Sequence, residues 1–289
     1  MNRQSLCHRR TLLSLVVALM LLATGGCETV QSVLNNSPKP GASVAGVRLA
    51  DLSLQKVDLL FDVDVSNPYS VPLPLTNLNY ALASGGNEFL SGKADVAGSV
   101  PAGGSKRVTV PATVTFVSLA NTLGAVKPGS VLPYDAKMNL SVDAPLGPVS
   151  LPIRKSGQLP VPAVPKVELA SMQWKTLTLS EAAAVMKLNV ENTNQFDIDL
   201  GKLGYALQLG GKSIAAGGVD KSVSFGKGQT REIEIPISFS PSNLGLAALN
   251  MLRGKGASYS IGGDMAVNTP FGPMNMPYQR SGQTTFLSK

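Results

Sequence analysis

Hydrophobic and polar residues alternate with a period of two along several stretches of the chain, the pattern of β-strands with one buried face. The clearest stretch is Arg231 to Phe239, where every second position from Ile233 is isoleucine or phenylalanine. Two further stretches alternate in the same way. Their apolar positions are Leu59, Phe61, Val63 and Val65 in one stretch, and Ala184, Met186, Leu188 and Val190 in the other.

This pattern occurs twice, at an offset of 125 residues. Without a gap, residues 67–158 match residues 192–283 at 24 of 92 positions, among them Tyr80 with Tyr205 and Pro145 with Pro270. A period this long exceeds that of solenoid repeats, so each copy is expected to be a domain with its own core.

Turn residues divide each copy into hairpins. Asn67-Pro68 is predicted to end a strand, because proline cannot extend the hydrogen-bond ladder and asparagine can close a turn with its side chain. Asn192 occupies the equivalent position in the second copy. Gly85-Gly86 and Gly210-Gly211 are expected to supply the positive φ of tight hairpin turns.

The predicted fold class is all-β. One short helix per copy is predicted, at 118–126 and, with clearer helical spacing, at 245–252. The remaining segments give about seven strands per copy, with turns about every 8 to 12 residues. We therefore predict two tandem immunoglobulin/fibronectin-III-like β-sandwich domains, each of about seven strands with one short helix.

The first 26 residues have the three parts of a secretory signal peptide. Three arginines form a basic front, Leu12 to Ala23 form an apolar run, and Thr24-Gly25-Gly26 precede Cys27. The apolar run is shorter than the about 20 residues of a permanent transmembrane helix. Small residues before a cysteine resemble the lipobox of bacterial lipoproteins, in which the cysteine is acylated and becomes the mature N-terminus. The resemblance predicts lipidation of Cys27; the alternative is an ordinary secretory signal with an incidental cysteine.

Lipidation implies a place in the cell envelope. Glu28, where some lipoproteins have aspartate, resembles the sorting rule for the outer membrane, so we expect an anchor in the outer membrane of a diderm bacterium, facing the periplasm. Behind the signal peptide at 1–26 we predict a lipidated N-terminus and flexible tether at 27–43, a first sandwich at 44–159, a proline-rich linker at 160–165 and a second sandwich at 166–289. The linker is expected to be a stiff polyproline-like spacer, so that the two sandwiches fold separately.

Composition excludes several classes of function for the mature chain. The formal net charge is +7, and three arginines leave with the signal peptide, so +4 remains. Four charges dispersed over the two domains do not predict nucleic-acid binding. The only histidine, His8, and one of the two cysteines, Cys7, also lie in the signal peptide. Catalysis by a Ser-His-Asp or Cys-His set, histidine-based zinc sites and an internal disulfide are therefore not expected.

Several residues are candidates for chemistry, and for each we favour a structural interpretation. Asp62 and Asp64 have the spacing of an acid and a base on one strand face, but are interpreted as solvated strand charges. Gly211-Lys212-Ser213 imitates the end of a phosphate-binding loop, but lies in a predicted hairpin. The other candidates are Met265, Met274 and Met276 as soft-metal ligands, Trp174, Tyr80 and Tyr205 as a binding face, and Asn67 and Asn192 as ligands; we interpret them as core and turn residues.

Asn67-Pro68-Tyr69, the Pro72-Leu73-Pro74-Leu75 that follows, and Leu78 to Leu82 with Gly85-Gly86 and Gly92 resemble the water-stress and hypersensitive-response (WHy) domain of the type 2 late-embryogenesis-abundant (LEA type 2) proteins. In that family an apolar strand ends in an Asn-Pro motif and a tyrosine-bearing hairpin follows. The second copy departs from the motif at Thr193, Asp197 and Asp199, so its assignment depends on the internal repeat. The motif positions, all structural, are Asn67, Pro68, Tyr80, Gly85 and Gly86, with Asn192, Tyr205, Gly210 and Gly211 in the second copy.

The resemblance implies a protein that protects other proteins or membranes during desiccation and osmotic stress, with no enzymatic activity, catalytic residue, metal or cofactor. The expected partners are the membrane, through the acyl chains, and client proteins or lipid surfaces; nucleic acid and small-molecule substrates are not expected. The alternative is an envelope interaction module that binds a protein, lipid or glycan through strand edges or loops. The third hypothesis is that the chain is an enzyme.

Overall fold

The structure is a computed structural model that describes residues 38–124, 126–178, 180–245 and 257–284. The signal peptide, Cys27 and most of the helix predicted at 245–252 lie outside these residues. The described residues form two tandem β-sandwiches, each made of two antiparallel sheets, as the sequence predicts. Each sandwich has its own buried core, and the two cores share no buried residue.

The first sandwich has two sheets, with strand orders β1-β2-β6 and β4-β3-β7-β8; the short β5 pairs with β3. Helix α1 follows β6 and ends at Gly124, which has the left-handed φ of 66° that a helix C-terminus favours. The bounds are β1 Gly41–Ala50, β2 Lys56–Ser66, β3 Leu73–Ser84, β4 Asn87–Asp95, β5 Ser99–Val100, β6 Ser105–Thr115, α1 Phe116–Leu123, β7 Val131–Ala144 and β8 Gly147–Pro160.

The second sandwich repeats this arrangement, with strand orders β13-β10-β9 and β12-β11-β14-β15. A 3-10 turn at Pro241–Leu244 stands where the first sandwich has the beginning of its helix. The bounds are β9 Lys166–Leu177, β10 Ala182–Glu191, β11 Ile198–Leu209, β12 Lys212–Phe225, β13 Thr230–Phe239, β14 Ala257–Thr269 and β15 Gly272–Thr284.

The alternation of apolar residues identifies the buried faces correctly. Central strands β2 and β10 alternate between buried and half-exposed positions along nearly their whole length. Phe61 and Met186 are fully buried, and each packs in the core of its own sandwich. Burying side chains of this size contributes about 1.5–3 kcal/mol each.

Prolines and glycines occupy the positions that their backbone chemistry requires. Pro111 and Pro236 lie in β6 and β13, which are edge strands, so their missing N–H groups cost no ladder bond. The β3–β4 turn has φ of 56° and 85° at Gly85 and Gly86, and the β11–β12 turn has 55° and 77° at Gly210 and Gly211. Two successive positive φ values are those of the type I′ turn that matches the twist of a hairpin.

Strand β1 begins earlier than the sequence predicts. The predicted tether extends to Ser43, whereas β1 begins at Gly41 and pairs with the end of β2, Gly41 opposite Ser66. Gly41, Ala42 and Ser43 carry small side chains with no apolar period, so only their backbone hydrogen bonds identify them as a strand.

The segment between the sandwiches is packed, not an exposed spacer. β8 continues through Pro160, and Val161 is buried in the first core while Val164 packs against the second. The side chain of Asn194 in the second sandwich holds the linker at both backbone groups of Ala163: its Oδ1 accepts from the N–H at 2.8 Å, and its Nδ2 donates to the carbonyl at 3.0 Å. The connection is therefore ordered by specific contacts that proline content alone does not predict.

Gly129, in the loop before β7, joins the two sandwiches directly. Its N–H donates to the Val161 carbonyl at 2.6 Å, and its own carbonyl accepts from the N–H of Gln195 at 2.7 Å. A Cβ at this position would lie 2.6 Å from the Thr193 carbonyl oxygen, and φ is 87°. Glycine is thus required here both for the close approach and for the backbone conformation.

Candidate functional site

Asn67 closes the turn that follows β2, and its side chain is almost fully buried. Its Nδ2 donates to the carbonyls of Val71, Val100 and Pro101 at 2.8, 3.2 and 3.0 Å, and its Oδ1 accepts from the N–H of Tyr69 at 2.9 Å. One amide therefore satisfies four backbone groups from two loops. Both hydrogens of Nδ2 are engaged and the side chain is buried, so this amide is not accessible to a ligand.

Asn192 repeats this geometry in the second sandwich and is fully buried. Its Nδ2 donates to the carbonyls of Phe196, Phe225 and Gly226 at 2.8, 3.3 and 3.2 Å. Its Oδ1 accepts from the backbone N–H of Asn194 at 3.0 Å and from the Asn194 side chain at 3.1 Å. The turn that Asn192 shapes is the same turn that presents Asn194 to the linker.

Tyrosine rings cover glycines on neighbouring strands. A Cβ at Gly92 would lie 2.5 Å from the ring of Tyr80, and one at Gly217 would lie 3.1 Å from the hydroxyl of Tyr205. Both tyrosines are half-buried and pack against the cores. Tyr134 over Gly157 and Tyr259 over Gly282 form a second repeated set. Tyr134 and Tyr259 were not among the sequence candidates, although both pairs of the second set are identities at the 125-residue offset.

Asp62 and Asp64 lie on the outer face of β2, each held by a two-pronged arginine contact. The guanidinium of Arg48 donates to Asp62 at 2.8 and 2.9 Å, and that of Arg107 donates to Asp64 at 2.7 and 2.8 Å. The hydrogen bonds from Arg48 and then Thr109 hold the pKa of Asp62 far below its ordinary value. The Arg107 hydrogen bond likewise lowers the pKa of Asp64. Neither carboxyl is protonated near pH 7, so neither serves as a general acid there.

These ion pairs predict a loss of stability in acid. A carboxyl whose pKa is lower in the folded than in the unfolded chain stabilises the fold above its unfolded value of about 3.9. That contribution is lost as the pH falls below this value towards the folded pKa. Urea unfolding of Asp62→Asn should show lower stability than the parent at neutral pH, with the difference shrinking below about pH 4.

Asp95→Asn is the matched control, because Asp95 is exposed and forms no ion pair among the described residues. It should leave the pH dependence of unfolding unchanged. If the stability of Asp62→Asn and that of the parent protein changed equally with pH, the structural role of the Arg48 contact would be contradicted.

The second sandwich carries opposite charges at the equivalent positions. Lys187 on β10 contacts Glu232 and Glu234 on β13, with Nζ–Oε1 distances of 2.8 and 3.0 Å. The hydrogen bond from Lys187 to Glu232 and then that to Glu234 raise the pKa of the lysine. Both outer faces thus carry ion pairs, but the positions of Asp62 and Asp64 are occupied by Lys187 and Asn189, so that acid pair is not repeated.

The remaining candidates occupy structural positions. Met265, Met274 and Met276 are buried in the second core. Trp174 packs edge-on against Phe239, with ring centroids 6.0 Å apart. Gly211-Lys212-Ser213 runs from the β11–β12 hairpin turn into β12 and not into a helix. Among the described residues, no cluster of three or more histidine, cysteine or acidic side chains has the geometry to hold a metal ion.

A cleft of about 380 Å³ lies between strands β9 and β15, lined by Val167 and Tyr278 among others. The hydroxyl of Tyr278 donates to the Gly204 carbonyl at 2.9 Å, and burial raises the pKa of Tyr278 to about 12. This phenol is therefore neutral and occupied in a structural hydrogen bond.

None of the helices in the described ranges has the length and hydropathy to cross a bilayer.

Comparison with known proteins identifies the same two units. The sequence profile of the late embryogenesis abundant protein family LEA_2 matches residues 62–157 and 187–282. The desiccation protectant protein Lea14 homolog of Glycine max is 34% identical over 139 residues, covering 47% of this chain and 90% of that protein. Late embryogenesis abundant protein Lea14-A of Gossypium hirsutum is 32% identical over 133 residues, covering 45% and 86%. The solution structure of AT1g01470 from Arabidopsis thaliana has 31% identity and a TM-score of 0.37, covering 44% of this chain and 84% of that one.

Two copies of the family profile thus coincide with the two sandwiches, and each begins on the strand that leads into a buried turn asparagine. The chain belongs to the LEA_2 family of late embryogenesis abundant proteins, with two domains in tandem.

Proposed function

We propose that this protein is a non-enzymatic desiccation-stress protein that protects other proteins or membranes from within the cell envelope. The observation that carries the proposal is the family match of both repeats, together with relatives whose names describe desiccation protectants. A folded, tandem architecture suits a protective role that depends on the surface of the sandwiches and not on a single catalytic site.

The chemistry of the described residues supports a non-enzymatic function. The carboxyls with the clearest acid–base spacing, Asp62 and Asp64, are held by arginines. The amides of Asn67 and Asn192, which occupy equivalent positions in the two repeats, are occupied by backbone groups. The mature chain that follows the proposed cleavage site contains no histidine.

The envelope location forms a second part of the proposal. The basic front, short apolar run and small residues before Cys27 support cleavage and acylation at that cysteine, and Glu28 favours the outer membrane. Residues 28–40 then connect the anchor to β1. As a flexible chain, this tether would let the first sandwich lie roughly 20 Å from the anchor.

Protection is tested with the chain from Glu28 onward, which retains every described residue but lacks the anchor cysteine. A labile enzyme dried or freeze-thawed with this protein should keep more of its activity than the same enzyme alone. The measurement is the activity that remains after rehydration, over a series of protein-to-enzyme mass ratios.

The control is an inert globular protein at equal mass, because excluded volume alone slightly favours compact states. Asp62→Asn combined with Asp64→Asn should protect as well as the parent, since surface protection does not use a carboxylate pair. If the parent protein does no better than the inert control, and loss of the gene leaves survival of drying and osmotic shock unchanged, the protein is instead an interaction module that binds an envelope partner.

A further inference from the structure

One end of the first sandwich exposes a group of apolar side chains. The turn after β2 and the β7–β8 turn together present Pro68, Val71, Pro72, Pro145 and Leu146, which we call the apolar pole. Val71 is 46% exposed and Leu146 is 78% exposed. Among the described residues, the only other large hydrophobic side chain with comparable exposure is Val117, in the first turn of helix α1 at the opposite end of the sandwich.

The equivalent end of the second sandwich is covered by the domain before it. There Asn194 holds the linker at Ala163, and the N–H of Gln195 donates to the Gly129 carbonyl. The counterparts of Val71 and Leu146 are Phe196 and Phe271, whose rings pack edge-on with centroids 5.3 Å apart. In the second sandwich, this end is therefore a docking surface for the linker and the domain that precede it in the chain.

In the first sandwich the same end receives the chain that comes from Cys27. Strand β1 begins there, with Gly41 paired opposite Ser66. The side-chain contact that holds the second sandwich to the linker is not repeated, because Tyr69 stands where the second sandwich has Asn194. A second copy of this chain that docked at this end of the first sandwich would therefore find no side-chain amide to bind its backbone, as Asn194 binds the linker.

Differences in charge between the two ends favour a lipid surface as the occupant. The second sandwich has acidic residues at two positions where the first has proline, one in the turn and one at the start of the strand that follows. A carboxylate would be repelled by anionic headgroups and would be costly to move into the interface, whereas proline carries no such cost. Lys39 and Lys106 border the apolar pole together with one acid, Asp143, so its surroundings are slightly basic. The replaced positions are Asp197 by Pro72 and Asp199 by Pro74.

We propose that the apolar pole rests in the headgroup layer of the membrane to which the N-terminus is attached, so that the first sandwich stands upright on the bilayer. This inference rests on the proposed lipid anchor at Cys27. The tether keeps the pole at a high local concentration near the surface, so a shallow insertion of Val71 and Leu146 is sufficient.

The test uses tryptophan fluorescence of protein held on vesicles by an artificial anchor. A hexahistidine tag before Glu28 replaces the acyl chains, and the vesicles contain phosphatidylethanolamine, phosphatidylglycerol and a nickel-chelating lipid. Leu146→Trp should shift its emission to shorter wavelength on these vesicles and should be quenched by lipids brominated near the headgroup. Trp174, the only native tryptophan, is the same background in every variant.

Val117→Trp is the matched control, because Val117 is as exposed as Leu146 but lies at the opposite end. It should show neither change on the same vesicles. Adding Val71→Asp to Leu146→Trp should abolish the shift and the quenching, because the carboxylate lifts the pole away from the anionic surface. Equal signals from the Leu146 and Val117 variants, or none from either, would overturn the proposal.

A shift of the Leu146→Trp emission that needs no vesicles and grows with protein concentration would also overturn it, and would identify a second copy as the occupant. Failure of this test is distinguishable from failure of the proposed function. The artificial anchor works whether or not Cys27 is acylated in the cell, and the drying assay contains no membrane.

Discussion

Replacing Cys27 by serine is expected to move the protein from the membrane fraction to the soluble fraction. Each buried methylene of an acyl chain contributes about 0.8 kcal/mol of membrane affinity, and stable attachment takes two anchoring signals, such as two chains on one residue. Serine has no thiol, so it cannot form the thioether through which acyl chains would be attached to this residue. The proposed shallow contact of the apolar pole is not expected to hold the protein on the membrane without the acyl chains.

The measurement is fractionation of cells followed by mass spectrometry of the mature N-terminus. Cys7→Ser is the matched control: it removes the other cysteine of the chain, lies within the proposed signal peptide, and should leave the protein in the membrane fraction. An unmodified N-terminus at a residue other than 27 would exclude the lipoprotein assignment.

Asn192→Ala is expected to destabilise the second sandwich by about 3 kcal/mol, because it leaves several buried backbone groups without partners. Nδ2 donates to three carbonyls and Oδ1 accepts from Asn194, so a single truncation affects both the turn and the linker contact. A loss of this size lowers the melting temperature of a domain of this length by roughly 10 °C. The first sandwich has a separate core and should change little.

Asn189→Ala, in strand β10 just before the turn, is the control, because Asn189 faces outward and is only half-buried. Differential scanning calorimetry of the two variants and the parent resolves the effect on each domain. Equal melting of the two variants would show that the Asn192 amide does not hold the turn.

Much of the fold could be predicted because strands such as β2, β10 and β13 bury one face. Period-two alternation identified β2, β10 and β13, and paired glycines identified the hairpin turns where only positive φ is allowed. The 125-residue offset then carried the prediction from one sandwich to the other. These signals are local, so a single sequence contains them.

The contacts that depend on distant parts of the chain could not be predicted in this way. Asp62 meets Arg48 across a strand pair, and nothing in the spacing of Asp62 and Asp64 indicates that arginines neutralise both. The linker sequence indicated a stiff spacer only through its prolines. Its ordered contacts depend on Asn194 and Gly129, which lie well away from it in sequence. The tyrosines and glycines are repeated identities in the sequence, but only the strand register shows that each ring covers a glycine on the neighbouring strand.

The opposite charges on the two outer faces have a consequence for folding. Adjacent domains of similar sequence risk exchanging equivalent strands while the chain folds. If β2 paired with β13 in the native register, Asp62 would lie opposite Glu234 and Asp64 opposite Glu232, and like charges directly across a strand pair are destabilising. In the reverse exchange, Asn189 would replace Asp64 opposite Arg107 and leave that guanidinium without its carboxylate. Charge therefore disfavours exchange of the central strands between the two sandwiches.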